Sequence, residues 1–410
     1  MTILRISRKD LADEDRFQRF RLIEWWDQKR LAEARVVVIG AGALGNEIIK
    51  NLALLGVGNV LVVDKDRVEN SNLSRSVLFR EADNGQPKAD VAARAARQIY
   101  PAMKIHAFVG DAIHALGSGV FRWADVTLCG LDNREARLHV NRQCFRVGKP
   151  WIDGAIEQLQ GVARVFVPDG HPAAVGQPDQ PCYECTMSER DWQLLQHRRS
   201  CAGLTRDEMA GGRTPTTPTI GSIIAGVQCQ ELVKLLHGLP VPAGAGLSFV
   251  GLSTDAFPTR YARKRDCPAH DALQQIVELN RGVATTTVRE LLELSRDLAG
   301  ADAVIELGRD VLDSLRCVPC GSSEPTTGSL GAFRVEGLPC PRCGQPRQVI
   351  TRNILRLDDD ALLDRTFAEL GVPPFDLLAA RGSAGVVGLL FADDAPRVLG
   401  ELADEMIELA

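Results

Sequence analysis

The amino-acid sequence predicts an α/β fold: a mostly parallel sheet with helices on both faces, followed by a smaller C-terminal α/β module. Three observations carry this. An unbroken β-branched run at 36–39 leads directly into a glycine turn and a helical stretch, the pattern of a strand buried on both faces. Short apolar runs then alternate with helical patterns, the order that puts helices on both sides of a parallel sheet. After about residue 271 the character changes, and two late C-x-x-C pairs appear.

The first strand is followed by G-A-G-A-L-G at 40–45, a helix over 46–55 and a second strand over 60–63. A helical pattern occupies 88–99, and apolar runs near 105–109, 126–129 and 162–167 supply further strands. This is a Rossmann-like arrangement. The run T-P-T-T-P-T at 214–219 is unsuited to regular structure, and it leads into a helix bearing Ile220, Ile223, Ile224 and Val227 at i, i+3, i+4, i+7 spacing. Helical stretches near 286–297 and 360–370 flank the late cysteine pairs, which a Gly/Ser/Thr-rich linker separates. The predicted division is 1–275 and 276–410, with a zinc ribbon at about 315–346.

A chain of 410 residues exceeds one ordinary core, so two or three domains are expected. A net charge of −5 argues against a nucleic-acid-binding surface. No apolar run approaches the roughly 18 residues of a membrane span, and the charged N-terminus lacks the apolar segment of a secretory signal. A cytoplasmic protein is expected. Eleven cysteines fit that compartment as metal ligands better than as disulfides.

Gly40, Gly42 and Gly45 form G-x-G-x-x-G between a strand and a helix. Without a Cβ the turn closes tightly and backbone N–H groups can approach phosphate at the helix N-terminus. Asp64 ends the second strand, 19 residues after Gly45, where a carboxylate can accept from ribose hydroxyls. Dinucleotide enzymes share these features. The segments downstream of Asp64 discriminate: Asp66, N-S-N-L-S-R from Asn70 to Arg75, G-Q-P-K ending at Lys88, and L-D-N-R-E-A-R containing Asp132. A triphosphate needs cations around it and a carboxylate for Mg²⁺, and Arg75, Lys88 and Asp132 meet that need. Hydride transfer needs none of them. Each residue alone reads as a solvated surface charge; their order and spacing make the case.

The motifs D-x-D-x-V-x-x-S-N-L-x-R, G-Q-P-K and D-N-x-x-x-R resemble the adenylating domain of the ThiF, MoeB and ubiquitin-activating (E1-like) family, from about Arg16 to His270. The resemblance implies that Asp64 holds the ribose, that Asn72, Arg75 and Lys88 hold the phosphates, and that Asp132 holds Mg²⁺. R-F-Q-R at 16–19 looks like the family's R-Y-x-R, which makes Arg19 the arginine expected to reach ATP in the partner subunit of a homodimer.

Cys182 and Cys185, with Cys267 and His270 some 80 residues later, form two x-x-spaced pairs suited to a closed tetrahedral Zn²⁺ site. The resembled family has cysteine at the last position, so His270 is a departure. Cys317, Cys320, Cys340 and Cys343 have zinc-ribbon spacing, with glycine after each pair. Cys201, in H-R-R-S-C-A-G, lies where the family carries its acyl-accepting or sulfur-transfer cysteine, and Arg198 and Arg199 would favour its thiolate. Cys129, Cys144 and Cys229 read as core residues.

The expected activity is ATP-dependent adenylation of the C-terminal glycine of a small ubiquitin-like protein, then transfer to Cys201 as a thioester for a conjugating enzyme. Thiocarboxylate formation on a sulfur carrier is the alternative branch. The C-terminal extension is expected to dock a protein partner or to stabilise the chain. A non-catalytic zinc-bearing scaffold and an NAD-dependent oxidoreductase are the other classes, and Arg75, Lys88 and Asp132 count against both.

Overall fold

The computed structural model describes residues 15–174, 179–193, 215–332 and 339–403. Its first sheet has eight strands in the order β3-β2-β1-β4-β5-β6-β7-β8. Strands β1 (Arg35–Ile39), β2 (Asn59–Asp64), β3 (Lys104–Val109), β4 (Val126–Cys129) and β5 (Trp151–Glu157) are all parallel. Strands β6 (Gln160–Phe166), β7 (Ala245–Val250) and β8 (Asp255–Arg260) extend the sheet by antiparallel pairing, with hairpins between β5 and β6 and between β7 and β8. Strands β1, β2, β3 and β4 lie close to their sequence expectations; β5, β7 and β8 have weaker apolar runs and surfaced only in the structure.

Alternation along β1 explains its unbroken hydrophobicity. Val36 and Val38 enter one core, and Val37 and Ile39 enter the other. The first core is covered by helices α2 (Ala43–Leu55) and α3 (Lys88–Ile99), and by the long helix α7 (Pro218–Leu236); α1 (Gln28–Glu33) lies at its margin. Pro218 is the first residue of α7, so the T-P-T-T-P-T run overlaps the helix start. Proline is tolerated there because its missing N–H has no helical partner.

The second core is covered by α4 (Gly119–Trp123), α5 (Arg134–Arg146) and the one-turn α6 (Tyr183–Thr186). It also takes in Phe375, Leu377, Leu390, Val398 and Leu399 from the end of the chain. The C-terminal region therefore shares a core with the first sheet.

That region forms a second sheet from β9 (Ile276–Leu279), β10 (Val304–Arg316), β11 (Ser323–Ser329), β12 (Gln348–Leu355), β13 (Leu377–Gly382) and β14 (Gly385–Phe391). All its pairings are antiparallel except β14 with β9. Helix α8 (Val288–Ala299) packs on this sheet, and α9 (Ala395–Leu399) lies against the first. Thr287 starts α8 with a capping box to Glu290.

The helix expected near 360–370 does not form. Its Leu363 and Arg365 carbonyls accept instead from the Arg289 and Val288 N–H groups, at 2.9 and 3.0 Å. Those donors are first-turn amides of α8 that need partners outside their own helix. Tertiary hydrogen bonding overrides local propensity here, and Gly371, at φ +83°, closes the segment.

Among the described residues, no helix is long and apolar enough to cross a membrane.

Candidate functional site

The first sheet changes direction between β1 and its neighbours β2 and β4, and such switch points open a crevice at the carboxyl ends of strands. Gly40 ends β1 there with φ +94°, a conformation that favours glycine. A Cβ on Gly45 would overlap the Gly40 carbonyl oxygen, whereas one on Gly42 meets nothing within 4 Å. Gly40 and Gly45 therefore serve the packing of the turn, and Gly42 faces open space at the N-terminus of α2, where a phosphate can approach.

Asp64 holds the turn from below. One carboxylate oxygen accepts the Ala41 N–H at 2.6 Å and the other accepts the Asp66 N–H at 2.7 Å. Burial raises its pKa against the pull of these bonds and of Lys88. A carboxylate has about four acceptor sites, so ribose hydroxyls remain within its capacity.

Of the residues expected to hold phosphate and metal, Lys88 lies near enough to act electrostatically on Asp64, and Asp132 on the neighbouring Lys65. Lys88 begins α3 and donates from Nζ to Asp66 at 3.1 Å, with its side chain only 12% exposed. The Asn72 amide oxygen accepts the Glu69 N–H at 3.0 Å, closing the short 3-10 helix Asn70–Asn72. Arg75 donates to the Ser71 carbonyl at 2.6 Å. Asp132 is exposed just beyond β4, beside Asn133, which caps α5 through the Ala136 N–H at 2.8 Å.

Two residues that sequence reasoning passed over join this group. Lys65 donates to Asp111 at 2.8 Å. Burial opposes its charge, but the Asp111 hydrogen bond and the charges of Asp111, Asp66 and Asp132 raise its pKa. The D-K-D run was visible in the sequence; Asp111, 46 residues away, was not linkable to it without the β2–β3 pairing.

Beneath Asp132, Arg137 donates to Asp153 at 2.8 Å and to the Leu131 and Gly154 carbonyls. Arg164 donates to the other Asp153 oxygen at 3.0 Å. Although Asp153 is fully buried, Arg137 and Arg164 hold its pKa below the ordinary range. The network fixes the strand end that carries Leu131 and Asp132.

Arg19 is elsewhere. Phe17 abuts Gly56, the C-cap of α2, so exposed Arg19 sits near the end of that 13-residue helix remote from the glycine turn. The helix is roughly 20 Å long, beyond the reach of an arginine side chain to the turn of its own chain. Cys201 lies outside the described residues.

Both metal groups assemble. Cys182, Cys185, Cys267 and His270 place one donor atom each within 4.8 Å of one another, as do Cys317, Cys320, Cys340 and Cys343. In the first group, Cys182 Sγ lies 3.8 Å from Cys185 Sγ and 3.5 Å from Cys267 Sγ, and Cys185 Sγ lies 3.2 Å from His270 Nε2. In the second, Cys317 and Cys343 are 3.4 Å apart and Cys320 and Cys340 are 3.5 Å apart. Tetrahedral zinc with Zn–S bonds near 2.3 Å needs sulfurs about 3.7 Å apart, so both sets fit such an ion. Gly321 and Gly344, at φ +70° and +73°, close two matching knuckles of the ribbon. Cys129, Cys144 and Cys229 are buried, and desolvation pushes the Cys144 and Cys229 thiols up to about 12.

A glycine turn at the switch point, with Asp64, Asp66 and Lys88 beside it, suits a nucleotide, and the chain's family and relatives give the class: ATP-dependent adenylyltransferases built on an α/β sheet. Residues 15–269 match the ThiF family, and the chain belongs to it. It is similar to the sulfur carrier protein adenylyltransferase of Thermus thermophilus, at 39% identity over 59% of this chain and 83% of that protein. It is 36% identical to the SAMP-activating enzyme E1 of Haloferax volcanii, over 59% of this chain and 82% of that one. Among solved structures, E. coli MccB with AMPCPP and MccA shares the fold, at a TM-score of 0.50 and 20% identity over 63% of this chain and 75% of that one.

Proposed function

We propose that this adenylyltransferase activates the C-terminal glycine of a small ubiquitin-like or sulfur-carrier protein, and that Cys201 then receives the acyl group. The observation that carries the reading is the open space at Gly42 at the head of α2, with Asp64 hydrogen-bonded to the turn and to the Asp66 N–H, and Asp66 paired with Lys88. The names of both relatives, a sulfur-carrier adenylyltransferase and an activating enzyme, support a protein substrate.

In the first step a carboxylate oxygen of the carrier attacks the α-phosphorus of ATP. An acyl-adenylate forms and pyrophosphate leaves. Lys88 and Arg75 offset the charge that develops on the departing phosphates, and Asn72 orients them. Asp132, with Asp66 beside Lys88, would hold Mg²⁺, which neutralises phosphate charge when bound. Asp64 anchors the ribose while its two backbone hydrogen bonds keep the turn in shape.

The remote position of Arg19 supports a homodimer in which this arginine serves the partner's nucleotide. Two Zn²⁺ ions would close the cysteine groups and act structurally, since each set supplies four protein ligands and leaves no open position.

In the second step the Cys201 thiolate attacks the acyl carbon, a thioester forms and AMP leaves, ready for a conjugating enzyme. The name of the Thermus relative favours a second reading, in which the outer sulfur of a persulfide attacks the acyl carbon and displaces AMP, and a second thiol then cleaves the S–S bond of the acyl disulfide, leaving the carrier's thiocarboxylate and a disulfide.

ATP–pyrophosphate exchange with candidate glycine-ended proteins tests the first step. Exchange that disappears when the terminal glycine is removed supports the proposal, and ATP binding without exchange in the presence of every such protein overturns it. Cys201→Ala then separates the branches: the thioester reading expects intact exchange and no reducible adduct, and an undiminished adduct refutes the role of Cys201.

A further inference from the structure

One buried ion pair belongs to neither the glycine turn nor the metal groups. Arg309, in the bulged middle of β10, donates to Asp376 at 2.9 Å, and the two side chains are 3% and 0% exposed. Burying such a pair costs desolvation, and apolar residues of similar volume often hold a core as well. The remaining hydrogen bonds of the pair indicate what it does. Arg309 also donates to the carbonyls of Ile113 and, at 3.0 Å, Leu116, while Asp376 accepts the Ser118 N–H at 2.8 Å.

The pair thus grips the backbone of one loop of the first sheet, residues 111–118. The fit is close. The Gly119 N–H donates to the Phe375 carbonyl at 2.9 Å, and a Cβ on Gly117 would overlap the backbone at Pro374 and Phe375. Phe375 itself is held at φ +58°, a conformation that a bulky residue keeps only where its surroundings enforce it.

The other end of this loop reaches the nucleotide crevice. One Asp111 oxygen accepts the Ile113 and His114 N–H groups at 2.8 and 3.2 Å, and the other accepts Lys65 Nζ at 2.8 Å. The Lys65 side chain is 62% exposed, so a ligand can reach it. It stands between Asp64 and Asp66, the residues that carry the turn and pair with Lys88.

We infer that Lys65 is a further cation for the ATP phosphates, held in place by Asp111, and that Arg309 and Asp376 of the C-terminal sheet are its positioning pair. This rests on the adenylation reading, and it makes the C-terminal region part of the adenylation machinery.

The test uses the full chain and measures binding of a non-hydrolysable ATP analogue with Mg²⁺, together with thermal midpoints. K65M should weaken binding roughly tenfold, the scale of one lost charge-assisted hydrogen bond. D111N, which leaves the core untouched, should weaken it by a smaller factor. R309M/D376L fills the buried volume with apolar atoms; it should weaken binding several-fold and add little to K65M when combined with it.

Unchanged affinity in K65M overturns the inference. So does an R309M/D376L chain that loses thermal stability but binds the analogue like the wild type, which would reduce the pair to a staple. A wild-type chain that binds no analogue defeats the adenylation reading itself, an outcome distinct from both.

Discussion

Gly40 and Gly130 meet where the first and fourth strands of the large sheet end: a Cβ on Gly40 would stand 2.7 Å from the Gly130 carbonyl oxygen. The contact joins the phosphate turn to the segment that leads to Asp132, so both halves of the proposed site share one backbone junction.

Gly45 and Gly42 of the turn should respond differently to alanine. G45A forces a clash with the Gly40 carbonyl and should cost more than about 2 kcal/mol in chemical denaturation. G42A meets open space at an ordinary φ of −73°. It should keep stability within about 1 kcal/mol and still lose at least roughly tenfold in ATP affinity. Equal stability loss in both variants contradicts this division of labour.

Lys88 and Asp132 should separate catalysis from stability. The Lys88–Asp66 pair has a 57%-exposed acid, and exposed pairs contribute about 1 kcal/mol or less. K88M and D132N should lower pyrophosphate exchange by about 100-fold or more while thermal midpoints stay within a few degrees of the wild type.

The two metal groups should differ in structural weight. Elemental analysis should find two zinc ions per chain, and chelation should remove both. Cys182 and Cys185 belong to the second core of the large sheet, whereas Cys343 is exposed. C182S should accordingly lower the thermal midpoint further than C343S, although each variant should lose one zinc.

His139 gives stability a pH dependence. It is buried, and desolvation, followed by the charge of Arg309, lowers its pKa well below the ordinary 6.5; the Phe121 ring stands edge-on at 6.3 Å. Above 6.5 the imidazole is neutral folded or unfolded and adds no pH slope. Below it the unfolded chain takes up a proton that the folded chain refuses, so stability falls with pH by up to about 1.4 kcal/mol per unit. Denaturation curves between about pH 5.5 and 7.5 should show this slope reduced by one proton in H139L.

Much of the framework of the proposed site was legible in the sequence because its parts are local. The strand, turn and helix at 35–55 are contiguous, Asp64 ends and Lys88 begins an element that hydrophobic patterning locates, and Asp132 lies in the short connection after β4. The cysteine groups were legible for a similar reason, since x-x spacing alone marks a knuckle. The features that escaped depend on distant pairing. Lys65 gains meaning only when β3 brings Asp111 beside it. The helix expected near 360–370 yields to hydrogen bonds with Val288 and Arg289. Nothing in the local pattern of 375–399 tells that Phe375 and Leu399 complete the core beneath the large sheet.

A crystal structure of the chain with ATP and Mg²⁺ tests the central claim most directly. The triphosphate is expected over Gly42, with Lys88 and Arg75 turned onto it and Asp132 facing the metal. Nucleotide bound away from that turn, or bound there with all three side chains directed elsewhere, would contradict the claim.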